Sequence, residues 1–291
     1  MTNSSTATGT DTNEAKNGEQ VARRRVLVTG AAGRIGTYFT QHSHEKYDLR
    51  LMVQHQGDET EIKNFGEVVI GDLTDSKALK QFCTGIDTVV HMAGNPNPNA
   101  TWNELLAPNI IGVYNIMTAA KAAGCRRLIF ASSIHAVSGG RCDVQVKTSE
   151  PVLPGDLYGV SKAFGEALGT YMAAQEGLSV IALRIGGFQT IESAEEANSI
   201  GIMDAYVSQR DLNQLINCCI DDLNLKYAVF HGLSNNRFNR LDISDARDLV
   251  GYDPQDDLTD LNPKLKELHL NKSIYNHNFK SGQQSGLRDD L

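Results

Sequence analysis

No run of apolar residues in this sequence approaches the ~18 that a membrane-crossing helix needs, so no such helix is expected. Residues 1–22 also lack the hydrophobic stretch of a secretory signal. They are rich in Thr, Asn, Ser, Gly and Glu, which bury too little surface to order a chain, and are expected to form a disordered tail. Residues 276–291 are equally polar and read as a second loose tail. Cysteine is scarce: Cys83, Cys125, Cys142, Cys218 and Cys219 show neither CxxC nor Cys/His ligand spacing, so no metal site is expected. An odd number without a framework fits free thiols in a reducing compartment, and cytoplasm is the expected location. Surplus positive charge is missing too, and a net charge of −8 argues against binding nucleic acid or an anionic membrane. There are no internal repeats. A 41% hydrophobic and 21% charged composition over 291 residues then fits one globular α/β domain at 23–275, with a small lobe from about 187 to 275.

From Arg25 onward, short Val/Ile/Leu runs alternate with helical stretches. Strands are expected at RVLVTG, Leu49–Val53, Glu67–Asp72, Asp87–Gly94, Arg127–Ser133 and SVIALRIG. These runs lack polar alternation, as strands covered on both faces do. Helices are expected from RIGTYFTQHS, from SKALKQFC with Thr74 or Asp75 as cap, over Thr101–Ala123 with a break or new start at Pro108, and over Leu157–Glu176. Such alternation gives βαβ units and a Rossmann-type, doubly wound parallel sheet. After Gly186 the segment GFQTIESAEEANSIG reads as irregular. Asp211–Leu223 then reads as a helix, KYAVFHG as a strand interleaved with the sheet, and RLDISDARDLVGYDP as a helix capped by Asp242 or Ser244 and stopped by Gly251.

Two patterns carry chemistry. TGAAGRIG places Gly30, Gly33 and Gly36 between a strand and a helix, where glycines permit a tight turn and close approach of backbone to a pyrophosphate. The helix start adds N–H groups and a positive dipole. Downstream, Ser133 ends a strand, and Tyr158 and Lys162 stand four apart on one helical face. A lysine ammonium beside a phenol lowers a pKa that starts near ~10, which fits Tyr158 as a proton acceptor. Ser133 would hold the substrate oxygen. The set reads as hydride transfer on an alcohol or carbonyl.

These motifs, with GDLTD, HMAG, PNIIG and FASS in the same order, resemble the extended branch of the short-chain dehydrogenase/reductase superfamily over about residues 25–255. NIIGVYN, FASSIHAV, DLYGVSKAFGE and ALRIG look like uronate dehydrogenases and related sugar dehydrogenases, which oxidise a C1 hydroxyl to a lactone. The resemblance implies a Ser133–Tyr158–Lys162 triad, with Lys162 also clamping the cofactor ribose. It implies cofactor contacts from Gly30, Gly33, Arg34, Ile35, Gly36, Asp72, Leu73, Ala93, Gly94, Asn109 and Ile185, in addition to Tyr158 and Lys162. It places His135, Ser133 and Tyr158 at a sugar; Asn95 joins them because its turn lies at the C-terminal edge of the sheet, where ligands bind in open α/β folds, and homo-oligomers are expected.

Bland readings stand beside these. His135 could cap a turn, His91 could be a core residue, and Asn95–Asn99 could be turn chemistry alone. Three positions depart from the uronate pattern: Ile134 replaces Asn, Gly187 replaces Ser, and Gly201 falls where an arginine would hold a carboxylate, with Arg210 nearby as a substitute. A neutral sugar or sugar phosphate is therefore expected as substrate. The second strand ends Val53-Gln54-His55 without the carboxylate that selects NAD, while Arg34 and His55 could accept the 2′-phosphate of NADP. Both cofactors remain open. Two rivals share parts of this pattern: a nucleotide-sugar epimerase or dehydratase, which bound sugar nucleotide would reveal, and a non-catalytic dinucleotide sensor, which would bind cofactor without turnover.

Overall fold

The computed structural model describes residues 23–141 and 143–269; both expected tails lie outside the described residues. The strands are β1 (Arg25–Thr29), β2 (Asp48–Val53), β3 (Glu67–Ile70), β4 (Thr88–His91), β5 (Arg127–Ser133), β6 (Ser179–Ile185), β7 (Gly187–Gln189), β8 (Tyr206–Ser208) and β9 (Tyr227–Gly232). Seven of them form a wholly parallel sheet in the order β3-β2-β1-β4-β5-β6-β9, and β7 and β8 form a separate parallel pair. The main helices are α1 (Arg34–Ser43), α2 (Ser76–Phe82), α3 (Trp102–Leu105), α4 (Gly112–Ala122), α5 (Leu157–Ala174), α6 (Ile191–Ala194), α7 (Gln209–Asp221) and α8 (Ser244–Val250). This is the expected Rossmann-type sheet with helices on both faces.

Alternate strand residues feed the two cores. Val26, Val28, Val90, Ile129, Ile181 and Leu183 pack towards α1 and α7, beside Phe39, Leu212 and Ile216. Leu27, Val89, Leu128, Phe130, Val180 and Ala182 pack towards α2, α4 and α5, beside Leu79, Ile116 and Met172. The order reverses between β1 and β4, and the cleft lies beyond the C-terminal ends of those strands.

Differences from the sequence expectations have local causes. Asp75, not Thr74, caps α2 by accepting from the Lys77 and Ala78 amides. The chain does not break at Pro108. Leu106–Ile111 widens into a π-helical turn between α3 and α4, which absorbs the missing proline N–H and sets Asn109 into the interior. Ser244 opens α8 instead of capping it, while the Asp242 carboxylate accepts from the Ser244 amide and hydroxyl. Gly251, at φ +71°, stops that helix as expected.

The segment after Gly186 is more ordered than its polarity suggests. β7 and α6 form there, anchored by a small cluster of Ala194, Tyr206, Leu258 and Leu265. Two of Ala194's three partners lie 64 or more residues downstream, so no local pattern displays them. Among the described residues no helix is long and apolar enough to cross a membrane.

Candidate active site

The cleft has two halves that share the rim Gly30, Gly33, Met92, Gly94 and Asn95. Gly30 sits at φ +69°, and a Cβ there would lie 2.8 Å from the Ala93 backbone. A Cβ on Gly36 would lie 2.2 Å from the Gly30 carbonyl. Those two glycines therefore pack the turn against itself. Gly33 is different: its Cβ would meet only the Gly30 carbonyl at 3.2 Å, so its bareness keeps the cleft clear. Gly33 also precedes α1 without any side-chain cap, which leaves the amides of the first turn available at the cavity floor. An uncapped helix start under a bare glycine turn fits a dinucleotide pyrophosphate.

The first half, about 480 Å³, is lined by Gln54, Asp72, Leu73, Thr74, Ala93, Glu104 and Pro108 among others. Asp72 accepts from the Thr74 amide and hydroxyl, which hold its carboxyl below the usual range. Leu73 packs over Gly112, where a Cβ would come within 2.8 Å, and Asn115 donates to the Leu73 carbonyl. Arg34 does not reach this half. Its guanidinium donates to the Phe188 carbonyl at 3.0 Å and lies 5.8 Å from the centre of that ring, on the other side of the phosphate loop. The 2′-phosphate role considered for it is not what this geometry offers.

The second half, about 450 Å³, brings together Ser133, Tyr158, Lys162, His135, Asn95, Gly94 and Ile185. Tyr158 and Ser133 both line this half, and the Ser133 side chain works to lower the phenol's pKa. Lys162 is buried: Nζ donates to the Ala131 carbonyl at 2.8 Å and stands 5.4 Å from the centre of the Tyr158 ring. Burial pushes the Lys162 ammonium down to about 8. The expected lowering of the phenol pKa by that ammonium is absent in the protein alone. Burial raises Tyr158 above its ordinary value, the Ser133 side chain opposes this, and the Asp156 charge adds to it. Asn109 is spent structurally. Its amide donates to the Asn95 carbonyl and Ser161 hydroxyl, and its oxygen accepts from the Asn95 amide. It shapes the Asn95–Asn99 loop, which turns on successive bonds from Asn95 and Asn97 and contributes Pro96 and Pro98 to the wall.

His135 lies at the cavity with its ring edge-on to Tyr158, 5.5 Å between centres. His91 is a core residue: Nδ1 bonds the Thr29 hydroxyl at 2.7 Å, and burial drops its pKa to about 3. Two of the three non-uronate positions, Ile134 and Gly187, belong to an apolar wall. Ile134 and Ile202 line the cavity, and a Cβ on Gly187 would strike Ile202 at 2.6 Å. Gly201 has open space around it. Arg210 lies outside this cavity, locked to Asp256 by two bonds of 2.7 and 2.5 Å.

One group went unseen in the sequence. Below the site, Arg184 on β6 makes a two-bond pair with Glu166 on α5, at 2.9 and 2.8 Å, and Ser132 donates to the same carboxylate at 2.6 Å. Glu166 stands four after Lys162 and eight after Tyr158, so one face of α5 is pinned to β5 and β6 beneath the triad. The spacing Tyr158, Lys162, Glu166 was the available signal.

Comparison with known proteins follows this geometry. Residues 26–189 match the NAD dependent epimerase/dehydratase family. NAD-dependent glucose-6-phosphate dehydrogenase of Haloferax volcanii is 34% identical, covering 79% of this chain and 93% of the relative. L-arabinose 1-dehydrogenase (NAD(P)(+)) of the same organism is 33% identical over 80% of this chain and 96% of the relative. The crystal structure of uronate dehydrogenase from Agrobacterium tumefaciens is similar with a TM-score of 0.71 at 29% identity, covering 88% of this chain and 91% of that one. The cleft at the sheet's switch point and these matches agree: the chain belongs to the NAD dependent epimerase/dehydratase family.

Proposed function

We propose that this protein is a cytoplasmic sugar dehydrogenase that oxidises C1 of an aldose or aldose phosphate to the lactone, with a nicotinamide dinucleotide as oxidant. The observation that carries the reading is the convergence of Ser133, Tyr158 and the buried Lys162 on one cavity that shares its rim with the adenosine half of the cleft. Relatives named for glucose 6-phosphate, L-arabinose and uronate support a sugar as the substrate class.

The bound dinucleotide supplies the hydride acceptor. Gly30, Gly33 and the first turn of α1, with Arg34, Ile35 and Gly36, would hold its pyrophosphate; Asp72 and Leu73 its adenosine; and Ala93, Gly94, Lys162 and Ile185 its nicotinamide end. Ser133 holds the sugar hydroxyl and Tyr158 takes its proton. Burial raises Tyr158 in the free protein, where Lys162 Nζ is bonded to the Ala131 carbonyl; a Lys162 ammonium turned towards the phenol would favour the phenolate. NAD is favoured over NADP. Among the described residues the adenosine half is lined by two carboxylates, Asp72 and Glu104, and by no lysine or arginine.

The apolar wall of Ile134, Gly187 and Ile202 offers a carboxylate no charged partner, and Arg210 is engaged elsewhere. Uronates should therefore be poor substrates. A panel of aldoses, aldose phosphates and uronates, run with NAD and with NADP, tests the reading. No oxidation of any sugar, or a uronate as best substrate by a wide margin, refutes it. The region from residue 187 supplies the substrate lobe in this reading. A homo-oligomer belongs to it too, since Ile111, Tyr114, Leu157, Val160 and Tyr171 leave apolar side chains exposed; sedimentation velocity tests that point.

A further inference from the structure

We infer that Asp156 is a positioning residue that fixes the tautomer of His135, so that His135 Nε2 accepts a hydrogen bond from a substrate hydroxyl next to the reacting carbon. The inference rests on the sugar-oxidising reading above and specifies the substrate further.

Asp156 has two bonds, one from each side of the site. Its Oδ1 accepts from the Gly159 amide at 2.7 Å and caps α5, the helix that carries Tyr158 and Lys162. Its Oδ2 lies 2.6 Å from His135 Nδ1, on the turn that follows Ser133. One carboxylate therefore ties the base-bearing helix to the strand end that holds the substrate oxygen. An ionised carboxylate only accepts, so the shared proton sits on Nδ1. A neutral imidazole with a proton on Nδ1 has a lone pair on Nε2. Nε2 makes no hydrogen bond among the described residues, and the ring lines the cavity.

The ring stands edge-on to Tyr158 at 5.5 Å between centres, and the His135 amide donates to Ser133 Oγ at 3.2 Å. An acceptor so close to the group that holds the reacting oxygen is placed for the neighbouring hydroxyl. The wall beside it is apolar at Ile134, Pro96, Pro98 and Ile202, and the other nearby side-chain oxygens are engaged, Asn95 Oδ1 by the Asn97 amide and the Ser132 hydroxyl by Glu166. The substrate class is accordingly a sugar with a free hydroxyl beside the oxidised carbon, and 2-deoxy sugars should be discriminated against.

Asp156→Asn isolates the effect. Its amide oxygen can still cap α5, but its NH₂ donates to Nδ1 and forces the proton to Nε2. Long-range ¹⁵N–¹H NMR of the histidine side chain, above the ordinary histidine pKa of about 6.5, reads the tautomer without any turnover. The expected result is Nδ1–H in the native protein and Nε2–H in the variant. In kinetics, the native enzyme should prefer the parent aldose over its 2-deoxy analogue by about tenfold in kcat/KM, the worth of one hydrogen bond. Asp156→Asn should lose that preference with melting temperature and dinucleotide affinity unchanged. Asp156→Ser, another capping residue, should lose it as well.

Nε2–H in the native protein overturns the proposal. So does an Asn variant that keeps the native preference, or one that slows both sugars equally. If no sugar is oxidised, the functional reading fails while the NMR result still decides the tautomer.

Discussion

Replacing Glu166 with alanine should destabilise the fold more than any other single change at the site's perimeter. The Glu166 and Arg184 side chains are only 5% and 2% exposed, and their two bonds are 2.9 and 2.8 Å long. Removing the carboxylate leaves a guanidinium sealed from water, and its Nη1 has no partner even in the intact protein. Breaking a buried pair from one side costs about 3–5 kcal/mol. Against a total stability of about 5–15 kcal/mol, that is a large share. For a chain of this size it corresponds to a fall of about 6–20 °C in melting temperature. Ser132 loses its acceptor as well, since its hydroxyl donates to the same carboxylate. The double variant Glu166→Leu with Arg184→Met removes both charges and should recover most of the loss. Scanning calorimetry of the native protein and the two variants is the assay. A shift under about 4 °C for Glu166→Ala, or a double variant as unstable as the single one, would refute the argument that charge burial sets the cost.

Other changes should separate chemistry from scaffolding. Tyr158→Phe should cut turnover by about 10²–10⁴ while dinucleotide affinity holds, since only the phenol oxygen is lost; unaltered turnover excludes Tyr158 as the base. Gly33→Ala should fold with a near-native melting temperature yet bind dinucleotide poorly, whereas Gly36→Ala should lose stability because its Cβ would lie 2.2 Å from a carbonyl oxygen; calorimetry and binding titrations that rank the two the other way contradict this. Lys162 titrates at about 8 when folded against an ordinary 10.5, so the unfolded chain holds more protons between those values and stability should rise with pH across that window. Lys162→Met should flatten that rise in urea titrations at about pH 7 and about pH 10; an equal rise in both proteins argues against burial as its source.

The sheet was largely legible from residues 25–185 because a strand covered on both faces must be apolar throughout, and RLIFASS and SVIALRI show that directly. The glycine turn was legible because Gly30 needs a positive φ and Gly36 meets a carbonyl, constraints that only glycine meets without strain. The substrate half was legible only in part: Ser133, His135, Tyr158 and Lys162 were, and part of its wall was not. Ile202, Phe188 and Asp156 reach the cavity, or support a residue in it, through turns whose placement depends on partners far along the chain. The state of Tyr158 was misjudged for a related reason. The helix spacing puts Lys162 on the right face, but only the fold shows that its ammonium is spent on the Ala131 carbonyl.

Strand β9 has an implication for how this enzyme can change. It arises after the segments that wall the substrate half, yet it pairs along β6, from Val180 with Tyr227 to Ile185 with Gly232. Cutting the chain after Gly186 would strip β6 of its neighbour and bare a row of unpaired amides and carbonyls on a strand that is almost fully enclosed. The substrate-side region therefore cannot be grafted or deleted as a cassette, because its last strand is mortar for the nucleotide-side sheet. Changes to the cavity that keep the fold are confined to point substitutions at wall positions such as Ile134 and Gly187, with the backbone that carries them kept whole.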